Sequence, residues 1–300
     1  VFLNATRQVV ELPGAGGAYT QSFDELGMGG GIPGNNLPAG WTAAVAGQEQ
    51  QAISGVYPPL ETTADTFSAG LEDETDRALA LGDTGEEGEN EFRLEWTVTK
   101  REMYALTLSF DLEVWGGDPV LAEDLGTAAF RVALQVDQGL GFEPFVDLGV
   151  VSTGPTLLPS SNLILNGNIS PNSAHFASDV VDVHLARGAV LRLDFTVPDN
   201  VGDGFIIGVD NVQIRTLYSG DSNGDGLFNT ADLVQVLRIG EYEDGILGNS
   251  AFAEGDWNGN GDFDTSDFVL ALQTGRYEVN ARLNMSQVAA AVSAGGTVGG

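Results

Sequence analysis

The chain has 300 residues, 42% of them hydrophobic, and 43 acidic against 12 basic side chains give a formal charge of −31; that length suits about two domains, each with a core of its own. Such a charge repels nucleic acid and anionic lipid, which excludes both as default partners, and it suits divalent cations. The absence of cysteine removes disulfides, thiolate metal sites and cysteine nucleophiles, and no apolar run approaches the ~18 residues of a membrane span.

Residues 1 to 90 are rich in turn formers, and the run from Gly27 to Asn36 reads as a loop. From Phe92 the pattern has period two, the mark of half-buried strands. Phe92, Leu94, Trp96 and Val98 form the first apolar face. Tyr104, Leu106, Leu108, Phe110, Leu112 and Val114 form the next, followed by Phe130, Val132, Leu134 and Val136. Val181, Val183 and Leu185 continue the scheme, and Leu191, Leu193, Phe195 and Val197 close it with Arg192, Asp194 and Thr196 facing water. One-sided strands separated by Gly, Pro and Asp turns predict antiparallel sheets packed face to face, a jelly-roll β-sandwich over residues 1–218. In the last strand Ile207 and Val209 have one parity and Val212 and Ile214 the other, so a bulge is expected near Asp210-Asn211.

Residues 219–280 hold two copies of one unit, 35 residues apart. The first runs Asp221-Ser222-Asn223-Gly224-Asp225-Gly226-Leu227-Phe228-Asn229-Thr230-Ala231-Asp232, and the second runs from Asp256 to Asp267. Oxygen-bearing residues at positions 1, 3, 5, 9 and 12, a backbone carbonyl at 7 and glycine at 6 meet the requirements of a calcium loop. The ligand sets are Asp221, Asn223, Asp225, Leu227, Asn229 and Asp232, then Asp256, Asn258, Asn260, Asp262, Asp264 and Asp267. Phe228, at position 8, is expected to enter the core and pair the loops. Leu233, Val236 and Leu237, with Phe268 and Leu272 in the copy, give each loop a short helix with a buried stripe. No helix is evident before the first loop. Residues 281–300 are Ala/Gly-rich and read as a spacer or tail.

The duplicated loop–helix unit resembles a dockerin, the tandem calcium module of exported bacterial proteins. The resemblance implies a small α-helical domain holding two calcium ions and a cohesin-like partner, with positions 10 and 11 (Thr230, Ala231, Thr265 and Ser266) as contacts. The upstream segments Phe23-Asp24-Glu25-Leu26, Leu37 to Thr42, Asp76-Arg77-Ala78-Leu79 and Gly208 to Ile214 resemble exported jelly-roll domains of the anchor or adhesin type. In such sandwiches the first and last strands share a structural calcium, which makes Asp24 and Asp210 candidates for a third ion. The plainer reading puts Asp24 in a turn and Asp210 in the bulge.

No nucleophile elbow, P-loop, zinc-protease motif or dinucleotide fingerprint is present, so a non-catalytic protein is expected. A chain that opens on Val1, with one lysine and no cysteine, fits an exported protein processed or trimmed at its start, extracellular or at the cell surface. The leading reading is attachment or assembly through the calcium module, by a cohesin-like partner or self-association. A second is glycan binding in the service of polysaccharide breakdown. Trp41, Trp96 and Trp115 would be its stacking candidates, with core packing the plainer role for each and Trp115, before Gly116-Gly117, the one expected at the surface. A third is a surface-layer or filament subunit built by strand addition through the N-terminus or the tail.

Overall fold

The computed structural model describes residues 10–11, 15–26, 37–45, 48–50, 55–56, 66–69, 76–82, 90–98, 103–117, 127–154, 163–198 and 205–278. The expected Gly27–Asn36 loop and the 281–300 tail lie outside them.

Alternation places the strands where the sequence predicts them. These are β8 (Glu91–Thr97), β9 (Met103–Gly117), β10 (Ala128–Asp137), β14 (Val181–Leu185), β15 (Val190–Thr196) and β16 (Phe205–Thr216). The turn-rich first part adds β1 (Val10–Glu11), β2 (Ala18–Gln21), β3 (Trp41–Val45), β4 (Gln48–Gln50), β5 (Gly55–Val56), β6 (Thr66–Ala69) and β7 (Ala78–Gly82). Three more, β11 (Val146–Thr153), β12 (Leu163–Ile164) and β13 (Ser173–Ala177), fill the middle. They form two sheets. One runs β11-β10-β15-β8-β3-β4, with β1 beside β8; the other runs β12-β9-β16-β7-β6-β5, with β13 and β14 also on β9 and β2 on β16.

The apolar faces of the two sheets meet in one core. Phe92, Phe130 and Phe195 from the first sheet and Phe110, Ile207 and Val209 from the second belong to a single buried cluster. Phe110 and Phe195 meet edge to face across it at 4.9 Å between centroids. The protein is therefore mainly β, with a β-sandwich as its larger part. The expected bulge is present: the β16–β9 register slips between Asp210 and Gln213, and Asn211 takes φ 50°.

Two of the residues expected at the surface are buried. Asp194 is 2% exposed because the Arg93 guanidinium lies across it, with Nε 2.5 Å from Oδ1. Trp115 is 0% exposed instead of surface-lying; its ring packs with Ala69, Ala78, Ala80 and Ile206 on the outer side of the nine-stranded sheet. Its Nε1 donates to Glu113 Oε2 at 2.9 Å. Trp41 and Trp96 are buried as well, so none of the three forms an exposed stacking platform.

Beyond β16 lie α1 (Thr230–Ile239), a 3₁₀ turn (Phe252–Glu254) and α2 (Thr265–Gln273). No helix precedes the first loop among the described residues. The buried stripe is narrower than expected. Val236 and Ala271 are buried, whereas Leu237 and Leu272 are 54% and 56% exposed. One face of each helix packs on a cluster containing Phe228, Trp257 and Phe263, which also takes in Ala105 and Leu217 from the sandwich.

Candidate functional site

Each loop is built from side-chain oxygens that accept amide hydrogens of the same loop. In the first, Asp221 Oδ2 accepts from Gly226 N at 3.1 Å, Asn223 Oδ1 from Asp225 N at 2.9 Å and Asp225 Oδ1 from Leu227 N at 2.7 Å. Asp232 accepts from Asn223 N at 3.2 Å and from Asn229 N at 2.9 Å. The second loop repeats the scheme. Asp256 Oδ2 accepts from Gly261 N at 2.7 Å, and Asp267 accepts from Asn258 N and Asp264 N, both at 3.0 Å. Gly226 and Gly261, the sixth residues, take φ +84° and +89°, where a β-carbon would be strained. Position 9 caps each helix: Asn229 Oδ1 accepts from Ala231 N at 2.7 Å and Asp264 Oδ1 from Ser266 N at 2.6 Å.

The oxygens are hard donors in the order a calcium loop uses. One has no partner: Asp221 Oδ1 is buried and makes no hydrogen bond. Burial, then the charges of Asp232 and Asp225, push the Asp221 carboxyl up to about 7. Burial also raises Asp232 and Asp267. Among the described residues no three or more His, Asp or Glu side chains converge as a cation-holding group; in the loops the carboxylates are turned onto their own amides.

A second acidic cluster lies on the outer side of the nine-stranded sheet. Asp210 is 0% exposed, and its carboxylate oxygens make no well-formed hydrogen bond, although the Asn211 N–H and the Asp76 side chain lie against them. Burial, followed by the Glu113 charge, pushes it up to about 9, with Asp76 and Asp24 adding to the repulsion. Burial pushes Glu113 up to about 8 against the lowering effect of the Trp115 N–H. Asp24, near this cluster, accepts from Arg77 N at 3.3 Å and from Ser22 Oγ at 2.8 Å. The structure thus brings Asp24 and Asp210 into one neighbourhood and adds Asp76, Asp111 and Glu113. The added residues were hidden in sequence because Asp111 faces Asp210 only through the β9–β16 register. His175 Nδ1 lies 2.6 Å from Asp111 Oδ1 at the rim.

Of the four expected contact positions, Thr230 and Thr265 are engaged within the chain, with Oγ1 donating to Glu278 at 3.1 Å and Glu243 at 2.7 Å. Ala231 and Ser266 are exposed, and Ser266 Oγ accepts from Asn258 Nδ2 at 2.8 Å. Ala231 sits in an open depression of about 510 Å³ with Asn223, Val234, Gln235, Arg238 and Ile239. Phe228 is buried as expected and pairs the loops through Trp257 of the second loop, whose ring lies 5.7 Å from Phe228 and 5.8 Å from Phe263.

No protein-family model matches the sequence, and no curated protein does. Among solved structures, the tandem CBM22 domains of Paenibacillus barcinonensis Xyn10C are similar at 14% identity and TM-score 0.37, over 68% of this chain and 46% of that one. The family 22 carbohydrate-binding module of Clostridium thermocellum Xyn10B is similar at 14% identity and TM-score 0.36, over 68% of this chain and 96% of that one. An adhesin domain of the Porphyromonas gingivalis Lys-gingipain is similar at 13% identity and TM-score 0.32, over 66% and 98%. Among the described residues no helix is long and apolar enough to cross a membrane.

Proposed function

We propose that the chain is an extracellular, non-catalytic attachment or assembly protein. In this reading a jelly-roll sandwich, residues 1–218, carries a dockerin-like unit, residues 219–280, that holds two calcium ions and presents one helix face to a partner. The supporting observation is the repeated oxygen scaffold, with its glycine turn and its last carboxylate fixed at a helix start, in which the buried Asp221 Oδ1 has no hydrogen to accept. Asp221, Asn223, Asp225, Asn229 and Asp232 with the Leu227 carbonyl would hold the first ion. Asp256, Asn258, Asn260, Asp264 and Asp267 with the Asp262 carbonyl would hold the second. The ion supplies charge neutralisation, and the chain supplies the frame. Asp24 and Asp210, with Asp76 and Glu113 near them, would take a third ion only by closing on it, since their carboxylates do not converge in this structure.

Calorimetric titration of the full chain with calcium is the test. Two tight sites are expected, one lost in Asp221→Ala and the other in Asp256→Ala; no uptake by the unaltered chain overturns the reading. The partner face is tested with a cohesin domain as probe. Ala231→Arg is expected to abolish its binding while calcium uptake is kept, and unchanged binding removes the docking assignment.

Glycan binding by the sandwich is the second reading. It is favoured by the outer face of the seven-stranded sheet, where Arg192 bridges Glu95 at 2.7 Å and carries the Phe142 ring 3.6 Å above its guanidinium. Planar polar groups beside an aromatic face suit sugar hydroxyls and ring C–H groups. A glycan array that loses its signal in Arg192→Ala supports this reading, and a blank array removes it.

A further inference from the structure

The two repeats fasten each other. After α1 the chain reads Glu241-Tyr242-Glu243, and after α2 it reads Arg276-Tyr277-Glu278. Each Tyr–Glu pair reaches the opposite loop. Tyr277 packs on Phe228 at 5.1 Å, its hydroxyl lies 3.2 Å from Thr230 Oγ1, and Glu278 N donates to Phe228 O at 2.8 Å. In mirror image, Tyr242 packs on Phe263 at 5.2 Å, its hydroxyl lies 2.8 Å from Thr265 Oγ1, and Glu243 N donates to Phe263 O at 2.9 Å. Each threonine has one proton and gives it to the glutamate, so each tyrosine must donate to the threonine: the order is Tyr to Thr to Glu in both copies. Glu243 and Glu278 take the same left-handed backbone, φ 49° and 54°. A residue that pays for such a φ without being glycine is held there by its contacts.

We infer that Tyr277 and Glu278 are positioning residues for the loop Asp221–Asp232, and Tyr242 and Glu243 for the loop Asp256–Asp267, so that each loop's order and cation affinity depend on the other repeat's tail. The affinity part rests on the calcium reading above; the order part does not.

Hydrogen exchange on the full chain, with and without calcium, is the experiment. The double variant Tyr277→Ala, Glu278→Ala is expected to speed exchange across residues 221–232 about tenfold and leave 256–267 near the unaltered rate. Tyr242→Ala, Glu243→Ala is expected to do the reverse. If a double variant does not fold, Glu278→Ala or Glu243→Ala alone gives the same crossed pattern at smaller size. Glu278→Gln, which keeps an acceptor for Thr230, is expected to restore slow exchange. In an Asp256→Ala background, where only the first loop binds, the Tyr277/Glu278 variant is expected to weaken calcium about tenfold and the Tyr242/Glu243 variant to have little effect. A tail that loosens its own loop, or both loops equally, overturns the inference. If the unaltered chain takes up no calcium, the function proposed above fails while the exchange pattern still decides the fastening.

Discussion

The carboxylate of Asp182, on β14, accepts the backbone N–H of Phe252 at 3.2 and 3.3 Å from its two oxygens. It ties the sandwich to the 3₁₀ turn that leads into the second loop. The first loop is tied separately: Arg215 Nη1, near the end of β16, donates to Asp225 O at 3.2 Å, and Leu217 N donates to Ala105 O at 3.0 Å. Tyr104, Ala105 and Val180 belong to the same apolar cluster as Tyr218, Phe228 and Trp257. The loop–helix unit is therefore seated on the sandwich through both of its halves.

Asp182→Ala is expected to speed hydrogen exchange at the Phe252 amide and to cost about 1–2 kcal/mol in denaturant unfolding, because it leaves that N–H without its acceptor. Asp182→Asn keeps an acceptor oxygen and removes the repulsion from Asp256 and Glu254 that, after burial, raises this carboxyl. Its exchange rate at Phe252 is expected to stay near that of the unaltered chain. Equal rates for Ala and Asp at this position would show that the tie is made elsewhere.

Gly167 leaves no room for a β-carbon, since one placed there would sit 2.5 Å from Trp115 Cε2 and 2.6 Å from its Nε1. The ring cannot retreat, being closed in by Ala78, Ala80 and Ile206. Gly167→Ala is expected to destabilise the chain by about 1–3 kcal/mol through overpacking. Thermal unfolding checks this, and near-UV circular dichroism of the tryptophan should change with it.

Six strands from Phe92 onward (β8, β9, β10, β14, β15 and β16) were legible because their apolar residues alternate, and the bulge at Asn211 was legible because alternation breaks there; β11, β12 and β13 carry no such pattern and were not. The strands before Gly82 were not: β1 to β7 are two to five residues long, too short for a period to declare itself. A place at the strand end before Gly116-Gly117 suggests that Trp115 is exposed, and nothing local says that the 163–168 segment covers that face. Both loops could be read from spacing, since every donor lies within one short segment. The reciprocal fastening could not be read that way, since it joins Thr230 to residues 47 and 48 positions away.

Asp194 and Arg93 make a partly covered pair, with side chains 2% and 27% exposed. Asp194→Ala removes the nearer of the two carboxylates on the guanidinium, which keeps Glu91 at 3.0 Å, beside a sheet face already carrying Arg192. Full burial would make this loss ~3–5 kcal/mol, and the exposure of Arg93 reduces the expected cost to about 2 kcal/mol. A double-mutant cycle with Arg93→Ala is expected to return most of that loss as coupling. Additive losses would show that packing, and not the pair, stabilises this position.

Three buried carboxyls set a pH dependence that a bound cation would remove. Burial above all raises Asp210 to about 9, Glu113 to about 8 and Asp221 to about 7. In the unfolded chain such groups ionise near ~4. Between those limits the folded chain holds protons that the unfolded chain has released, so cation-free stability is greatest near the low end and falls as pH rises. In chelator, the thermal midpoint is expected to decline from about pH 5 to about pH 9, and Asp210→Asn to flatten that decline. On the calcium reading proposed above, the ion would displace these protons, so its affinity is expected to rise over this range, and saturating calcium to remove the decline. Titration in buffers of different ionisation enthalpy should show proton release on binding. A midpoint in chelator that climbs with pH would mean that these carboxyls are charged and satisfied in the folded chain without any ion.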